Sequence, residues 1–498
     1  MYDPILSCKE SADLEKSLLR NSAAELDAMS RAGVGIARVI LKEFANAFFD
    51  APTILVLAGK GHNGGDALCA AHEILKQKPN AVLKIFLSAP IADLKPNTRH
   101  FANLLMRENG AVRFVNAQEL SKGATLMLEG LAGMNFAPPM REDLAELIAL
   151  ANSAPCKIKA AVDMPAGLSD SVTTQAFKAD VTYMTGIAKF PIFDAANAEY
   201  VGRLRYIDLN FFDSYDKPAT QFVVTEKAFE PLAKLRAAQS DKRTYGHLFV
   251  FAGSANYAGA ALMNVKAALR SGVGLVSAFV PESIAPSLAA AEPAAIWIPC
   301  PQTDDGGLSL GTFSIYKSKQ GRETAILAGS GFGDCAETPA LISEIAKVSN
   351  VPLILDADAI RSNILDAVRG KEVLLTPHVG EFLRIAKNSS DESLLEICAQ
   401  KNIACLLKSA ISKVCDGGRI AHICAGGPQL SRAGSGDVLA GIVGGLAARK
   451  DLNFSTFDCA CIAALWAGKA AELAFAAHGE NAYATSDVFK YLSTSLNS

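Results

Sequence analysis

The sequence predicts an α/β protein of two domains, each a largely parallel sheet with helices on both faces. Three observations carry this. Short, unbroken apolar runs alternate with stretches of helical periodicity, the pattern of strands buried on both faces between covering helices. The alternation stops at NFFDSYDKP (210–218) and then begins a second time. The chain has 498 residues, too many for one domain of roughly 100–200 residues.

Residues 11–49 carry apolar side chains at three- and four-residue spacing, from Leu14 and Leu18 to Val39 and Ile40, and read as helix. The run TILVLA (53–58) reads as the first buried strand, and similar runs follow at 81–87, 124–128, 158–162 and 181–185, with helices at 67–77 and 141–151. The boundary falls near residue 220, giving domains 1–220 and 221–498. After a charged, helix-like segment at 227–243, strands are expected at 247–252, 273–280, 324–328, 352–356, 372–376, 403–408 and 419–424. Ala-rich helices at 436–450 and 457–477 close the chain.

Half of the residues are hydrophobic and a fifth are charged, which excludes a disordered chain. With 48 basic and 51 acidic residues the net charge is −3, without the basic field of a nucleic-acid binder. The eleven cysteines include no C-x-x-C pair and several lie in apolar runs, so they are expected as buried, reduced thiols of a cytoplasmic protein. MYDPILSCKESADLEK has no basic n-region or apolar h-region, so no signal peptide is expected. The uncharged stretch 244–265 contains His247, Ser254 and Asn256 and reads as strand, turn and helix start, so no membrane association is expected.

The first chemical signal is AGKGHNGGD (58–66), between a strand and a helix. Its glycines let the backbone approach a ligand and direct free N–H groups at an anion. It is neither a G-x-G-x-x-G nor a Walker A loop, and a tight turn with Asp66 as a helix cap is the plainer alternative. VDMPAGL (162–168) puts Asp163 at a strand's C-terminal end, where open α/β sheets bind ligands. ADVT (179–182) leads on to Lys189. An acid and a lysine meeting at one sheet edge suit proton transfer, while a solvated surface amine is the alternative for Lys189.

Together with AMSRAG (28–33), these segments resemble the epimerase domain of the NAD(P)H-hydrate repair enzymes, over about residues 10–210. The usual family versions are AGKGNNGGDG, D-x-P-S-G-L and AD-x-T…K. The resemblance implies a Rossmann-like three-layer domain that interconverts the R and S epimers of NADHX and NADPHX, the hydrated cofactors, and that holds potassium. It implies hydrate contacts from His62, Asn63, Gly64, Gly65, Asp66, Gly133 and Asp163, with Asp163 as catalytic acid/base and Asn63 and Glu129 as potassium ligands. Glu129 replaces the usual Asp, EGLAGMN (129–135) replaces D-A-L-x-G-T-G, Ala166 replaces a Ser and His62 an Asn. A glutamate reaches farther and an alanine removes an oxygen, so weakened potassium binding and reduced epimerase activity are expected.

The second signal is RAGSGDVLAG (432–441), where Gly-Ser-Gly precedes Asp437 at the start of a helix. Such a backbone cradles a transferring phosphoryl group, and an aspartate there accepts a hydroxyl proton. A simple helix cap is the alternative for Asp437. Three other strand ends carry chemistry: DAD (356–358), TPHVGE (376–381) and LLKSAIS (406–412). His378 alone reads equally as a structural or surface histidine.

This order of motifs, with YGHLFVFAGS (245–254) and GSGFG (329–333), resembles the ribokinase-like superfamily, and within it the ADP/ATP-dependent NAD(P)H-hydrate dehydratases, over about residues 240–490. The resemblance implies a ribokinase-like α/β domain in which Gly259, Ala260, Gly331, His378 and Asp437 contact the hydrate. Lys408, Ser409, Ala410, Ile411, Ser412 and Gly436 would contact the nucleotide. Asp437 would deprotonate the C6 hydroxyl, a phosphoryl group from ADP or ATP would be transferred to it, and Mg²⁺ would accompany the phosphates. Self-association into a homo-oligomer is implied as well. Val379 stands for the usual Pro of T-P-H-P-G-E, Ser330 for the Pro of G-P-G, Ser409 for a Gly, and Gln429-Leu430 for G-M. Two other readings stay open: a small-alcohol kinase of the same superfamily, and a dehydratase whose N-terminal domain only binds.

Overall fold

The computed structural model describes residues 1–48, 50–108 and 110–496. The chain forms two compact units, Asp3–Ala219, and Thr220–Ser498 with Met1–Tyr2.

The N-terminal unit holds a seven-stranded, all-parallel sheet. Beyond β1 (Tyr2–Leu6), its strands are β2 (Thr53–Ala58), β3 (Val82–Leu87), β4 (Val112–Phe114), β5 (Ala124–Gly130), β6 (Cys156–Val162), β7 (Val181–Thr185) and, after the short β8 (Ala188–Lys189), β9 (Arg203–Ile207). The spatial order is β4-β3-β2-β5-β6-β7-β9, and β1 pairs in parallel with β8. The continuous apolar run of β2 is explained by two covered faces. Ile54, Val56 and Ala58 pack with the helices Ser22–Glu43 and His62–Gln77, while Leu55 and Leu57 pack with the helix Glu142–Ser153. Each fully buried Leu or Ile here contributes about 1.5–3 kcal/mol.

The strands of the C-terminal unit are β10 (Gln221–Val224), β11 (His247–Phe251), β12 (Leu275–Pro281), β13 (Ile296–Cys300), β14 (Ala325–Ala328), β15 (Leu353–Leu355), β16 (Val373–Leu375), β17 (Ala404–Leu407), β18 (Lys413–Cys415) and β19 (Ile420–His422). Their order is β13-β12-β11-β14-β15-β16-β17-β18-β19-β10, parallel except for the antiparallel pairs β17–β18 and β18–β19. Val250 and Leu248 face the helices Ala258–Arg270 and Ser435–Ala448, and Phe249 and Phe251 face the side of the helix Glu337–Val348. The two helices cross closely because glycines line the contact. A Cβ on Gly441 would lie 2.3 Å from the Asn264 carbonyl oxygen, and one on Gly445 would lie 1.9 Å from Ser271 Oγ.

Two local expectations change. The helical stretch 11–49 is two helices, Cys8–Leu18 and Ser22–Glu43, because Asn21 caps the second through Ala24 N–H; Phe49 lies outside the described residues. Segment 227–243 contains only the 3₁₀ turn Glu226–Ala233, which has Pro231 inside it. Thr456–His478 is long and apolar enough to span a membrane by composition, yet most of it is buried within its own unit.

Two candidate active sites

In each unit the chain runs outward along one side of the sheet and then returns to the other. The reversals fall between β2 and β5, and between β11 and β14. Crevices beyond the carboxyl ends of strands at such points are the ligand sites of open α/β sheets.

At the first reversal lies a cleft of about 490 Å³ lined by Lys60, His62, Asn63, Asp66, Gly133 and Asp163, among others. The helix His62–Gln77 starts right behind β2 with Gly61 at its cap and no side-chain cap bond, so its first N–H groups are available to a ligand. Gly64 and Gly65 do not line the cleft. They permit close packing: a Cβ on Gly64 would lie 2.1 Å from the Gly59 carbonyl oxygen, and one on Gly65 2.5 Å from Met29. Asp66 is held well above the carboxylate range by burial, reinforced by Asp163 and Glu15. Burial also pushes Glu15, which lines the same cleft, up to about 7. Burial pushes the His62 imidazole down.

Asp163 follows β6 directly, with φ at 65°, in the left-handed region. Its Oδ1 accepts from Lys189 Nζ at 2.6 Å and from Thr185 Oγ1 at 3.2 Å. Lys189 is fully buried, so it is no surface amine. Burial works against its charge, but Asp163 and then Glu15 outweigh this and hold its pKa raised.

Glu129, on β5, is also fully buried. Its Oε1 accepts from Leu131 N–H at 2.7 Å and its Oε2 from Ala166 N–H at 3.1 Å. Burial still pushes the carboxyl up to about 8. Asn63 donates through Nδ2 to the Ala132 carbonyl at 3.0 Å, and its Oδ1 is buried without a hydrogen-bond partner among the described residues.

At the second reversal a cleft of about 450 Å³ is lined by Ser254, Tyr257, Asp305, Gly331, Phe332 and Asp358, among others. Gly331 has φ 70°, and a Cβ there would lie 2.7 Å from that of Ala260, so Ala260 stands directly behind it. Gly259 does not line this cleft. Next to Gly331, Ser330 Oγ donates to Asp356 Oδ2 at 2.8 Å. Asp356 Oδ1 accepts from Thr376 Oγ1 at 2.7 Å and Lys408 Nζ at 3.2 Å.

Asp437 lies in the first turn of the helix Ser435–Ala448, which is introduced by Gly434 at φ 85°. Asn264 Nδ2, fully buried, donates to its backbone carbonyl at 2.8 Å. Burial, then the neighbouring Asp356, pushes the Asp437 carboxyl up to about 6 against the pull of Lys408 and the Ser330 hydroxyl. A Cβ on Gly436 would lie 3.2 Å from Lys408 Nζ, so that backbone and the lysine are neighbours. Burial opposes the charge of Lys408, and Asp356 and Glu381 overcome it. Ser409, Ala410, Ile411 and Ser412 form the turn between β17 and β18, with Ser409 Oγ donating to the Ile411 carbonyl at 2.6 Å. His378 caps its own short helix: Nδ1 accepts from Gly380 N–H at 2.9 Å, and Nε2 is 3.3 Å from Glu381 Oε1.

A family profile described as NAD(P)H-hydrate dehydratase matches residues 248–494, and one described as YjeF-related protein N-terminus matches residues 25–190. The bifunctional NAD(P)H-hydrate repair enzyme of Gloeobacter violaceus is 30% identical over 443 residues, covering 84% of this chain and 84% of its own. This chain belongs to the bifunctional NAD(P)H-hydrate repair enzymes. The repair enzyme of Pyrobaculum aerophilum is likewise 30% identical, over 91% of this chain and 90% of its own. A crystallised ADP/ATP-dependent NAD(P)H-hydrate dehydratase of Bacillus subtilis is 24% identical and superposes on 55% of this chain and 97% of its own, with a TM-score of 0.47.

In this repair enzyme the residues singled out by sequence gather in two places. His62, Asn63, Asp66, Gly133 and Asp163 share the first cleft. Asp437, Lys408 and Gly436 form a second cluster, connected through Asp356 and Ser330 to Gly331. Sequence reasoning missed Glu15, Asn264 and Thr376. Glu15 and Asn264 sit in ordinary amphipathic helices, and only the cleft that Glu15 lines and the burial of Asn264 mark them.

Proposed function

We propose that the N-terminal unit interconverts the R and S epimers of hydrated NADH and NADPH, and that the C-terminal unit dehydrates the S epimer with ADP or ATP. One observation carries the reading: each unit holds a lysine-paired carboxylate next to a carboxyl group whose pKa burial raises. These are Asp163–Lys189 beside Asp66, and Asp356–Lys408 beside Asp437.

In the first site, a protonated Asp66 is an acid able to give a proton to a departing C6 hydroxyl while the ring nitrogen's electron pair expels water. Asp163 takes the proton when water returns to C6 from the other face, and Lys189 stabilises the carboxylate meanwhile. In the second site, Asp437 takes the C6 hydroxyl proton and the oxygen attacks the terminal phosphoryl group. The bond to the leaving nucleotide breaks, giving AMP from ADP or ADP from ATP. Phosphate then leaves C6 and C5 loses a proton, restoring the dihydronicotinamide. The uncapped turn at Gly434–Gly436 and the Lys408 ammonium oppose the charge that develops on the phosphoryl oxygens.

A potassium ion does not fit the donor set of the first site. Each Glu129 oxygen already accepts from a backbone N–H group, Ala166 offers no side-chain oxygen, and Asn63 Oδ1 is left as one unengaged side-chain ligand atom. A hard cation needs several, so no step here passes through potassium. Among the described residues no group of three His, Cys, Asp or Glu side chains is fit to hold a metal. Magnesium, when present, accompanies the nucleotide phosphates, whose charge it neutralises. The eleven free cysteines, ten of them buried, suit a reducing compartment such as the cytoplasm.

The reading is tested by incubating the full chain with S-hydrate and ADP or ATP. Free phosphate and NADH or NADPH should appear together, and a stable phosphorylated alcohol should not. Accumulation of that alcohol would instead identify a kinase.

A further inference from the structure

We propose that Glu15 is the proton relay that resets the epimerase site, returning to Asp66 the proton that each turnover leaves on Asp163. The proposal rests on the epimerase reading above and deepens it. Conversion of one epimer begins with Asp66 protonated and Asp163 ionised. Asp66 gives its proton to the departing hydroxyl, which leaves as water. A water then adds to C6 from the other face, and Asp163 takes one of its protons. The hydrate now has the opposite configuration, but the two carboxyl groups have exchanged protonation states. In that state the site can only run the reaction backwards, until Asp163 loses a proton and Asp66 regains one.

Glu15 lines the same cleft as Asp66 and Asp163. The helix Cys8–Leu18 puts it there: Cys8, Ser11 and Glu15 follow at three- and four-residue spacing on one face, and the first two are buried. Asp170, in the loop that follows Asp163, fixes this helix. Its Oδ1 accepts from Cys8 N–H at 2.8 Å and its Oδ2 from Lys9 N–H at 3.2 Å. The loop that leaves Asp163 therefore also holds the helix that carries Glu15. Asp163 is bonded to Lys189 and Thr185. The Glu15 and Asp66 carboxyl groups, in contrast, have no hydrogen-bond or ion-pair partner among the described residues. A half-buried carboxyl group without a protein partner can exchange its proton with cleft water or with a neighbouring acid.

The charges that face Glu15 are Lys189 and Asp163, then Lys95 and Glu25, and Asp66 faces it as well. Burial lifts its carboxyl to about 7, so both protonation states are populated at neutral pH. Protonation of Asp163 removes one negative charge that faces Glu15 and leaves Lys189 uncompensated. Glu15 becomes more acidic at the moment when Asp66, now ionised, lacks a proton. Glu15 gives its proton to Asp66 and recovers one from Asp163 through cleft water, which restores the starting state.

The test follows R-to-S epimerisation by the full chain in wild type and Glu15→Gln, at low and high imidazole concentration and constant ionic strength. The variant keeps the shape and removes the titrating group. The reset follows product release, so kcat should fall about 10²-fold while kcat/KM stays unchanged. Imidazole, a small proton carrier, should raise kcat of the variant toward the wild-type value and leave wild type unaffected. An undiminished kcat, a kcat/KM that falls as far as kcat, or a lowered kcat that imidazole does not raise would each overturn the proposal. Cooperative thermal unfolding shows that the variant is folded; if it is not, Glu15→Ala is read by the same criteria. Asp163→Asn separates the two readings. Should it interconvert the epimers as fast as wild type, the epimerase assignment itself fails, whatever the Glu15 variants do.

Discussion

Lys189 Nζ lies 2.6 Å from Asp163 Oδ1, with the lysine fully buried and the aspartate at φ 65°. A non-glycine residue in the left-handed region stores about 1–3 kcal/mol unless its surroundings fix it. Here Thr185 and Lys189 both grip the carboxylate. The backbone strain aims the acid into the cleft, and the lysine is the counter-charge that makes a buried carboxylate tolerable.

Removing one partner of such a pair leaves the other charged and uncompensated, which costs about 3–5 kcal/mol. Lys189→Met should therefore lower Tm and abolish epimerisation, while S-hydrate dehydration at 25 °C stays within about twofold. Asp163→Asn keeps a residue type that tolerates positive φ and removes the base. Because it also leaves the buried Lys189 without its counter-charge, it should lower Tm as Lys189→Met does, and lose about 10²–10⁴-fold in epimerase rate. Epimer interconversion followed by NMR or chromatography, with thermal unfolding as control, checks both.

The Asp437 carboxyl, pushed up to about 6, must be ionised to act as a base. Dehydration should fall about tenfold per pH unit below that value and level off above it. The same shift has a stability consequence of opposite sense. The folded state binds the proton more tightly than the unfolded chain, so between the ordinary aspartate pKa and about 6 stability declines as pH rises. Asp437→Asn should then have the higher Tm above pH 6, with the difference vanishing toward pH 4. A variant equally displaced at all pH values would contradict this.

Potassium should leave the wild-type epimerase rate and Tm where sodium leaves them. Glu129→Asp with Ala166→Ser shortens the carboxylate and adds a hydroxyl where the Ala166 N–H meets Glu129. In that double variant potassium, but not sodium, should raise Tm by about 2 °C or more at saturation. Equal responses to the two ions in the double variant would refute the account of these positions.

Gly64 is a packing residue, since a Cβ would lie 2.1 Å from the Gly59 carbonyl oxygen where helix and strand cross. Gly64→Ala should cost about 1–3 kcal/mol through overpacking and reduce epimerase activity by displacing Asn63 and Asp66. Differential scanning calorimetry together with the epimer assay measures this.

The strand ends and their glycine-rich turns were legible in the sequence, because a buried parallel strand writes a continuous apolar run and its chemistry follows immediately after. Asp163 stands at such a place, whereas Asp437 is marked by the glycines that open the helix Ser435–Ala448. That Asp163 and Lys189 meet at one sheet edge was legible, whereas their direct contact was not: it needs the chain after β7 to fold back, with β8 pairing to β1. The strand Ile296–Cys300 was hidden by Pro299, tolerated because the strand lies at the sheet edge. The bond from Ser330 to Asp356 joins two strand ends and could not be read from either alone.

The most direct test of two cooperating sites is to follow a freshly prepared mixture of R- and S-hydrates with ADP or ATP, comparing the intact chain with Asp163→Asn and Asp437→Asn. The account predicts complete consumption by the intact chain, faster than spontaneous epimerisation allows. It predicts a halt at the S share with Asp163→Asn, and interconversion without loss of hydrate with Asp437→Asn. Consumption by the intact chain that halts at the S share, as with Asp163→Asn, would contradict it.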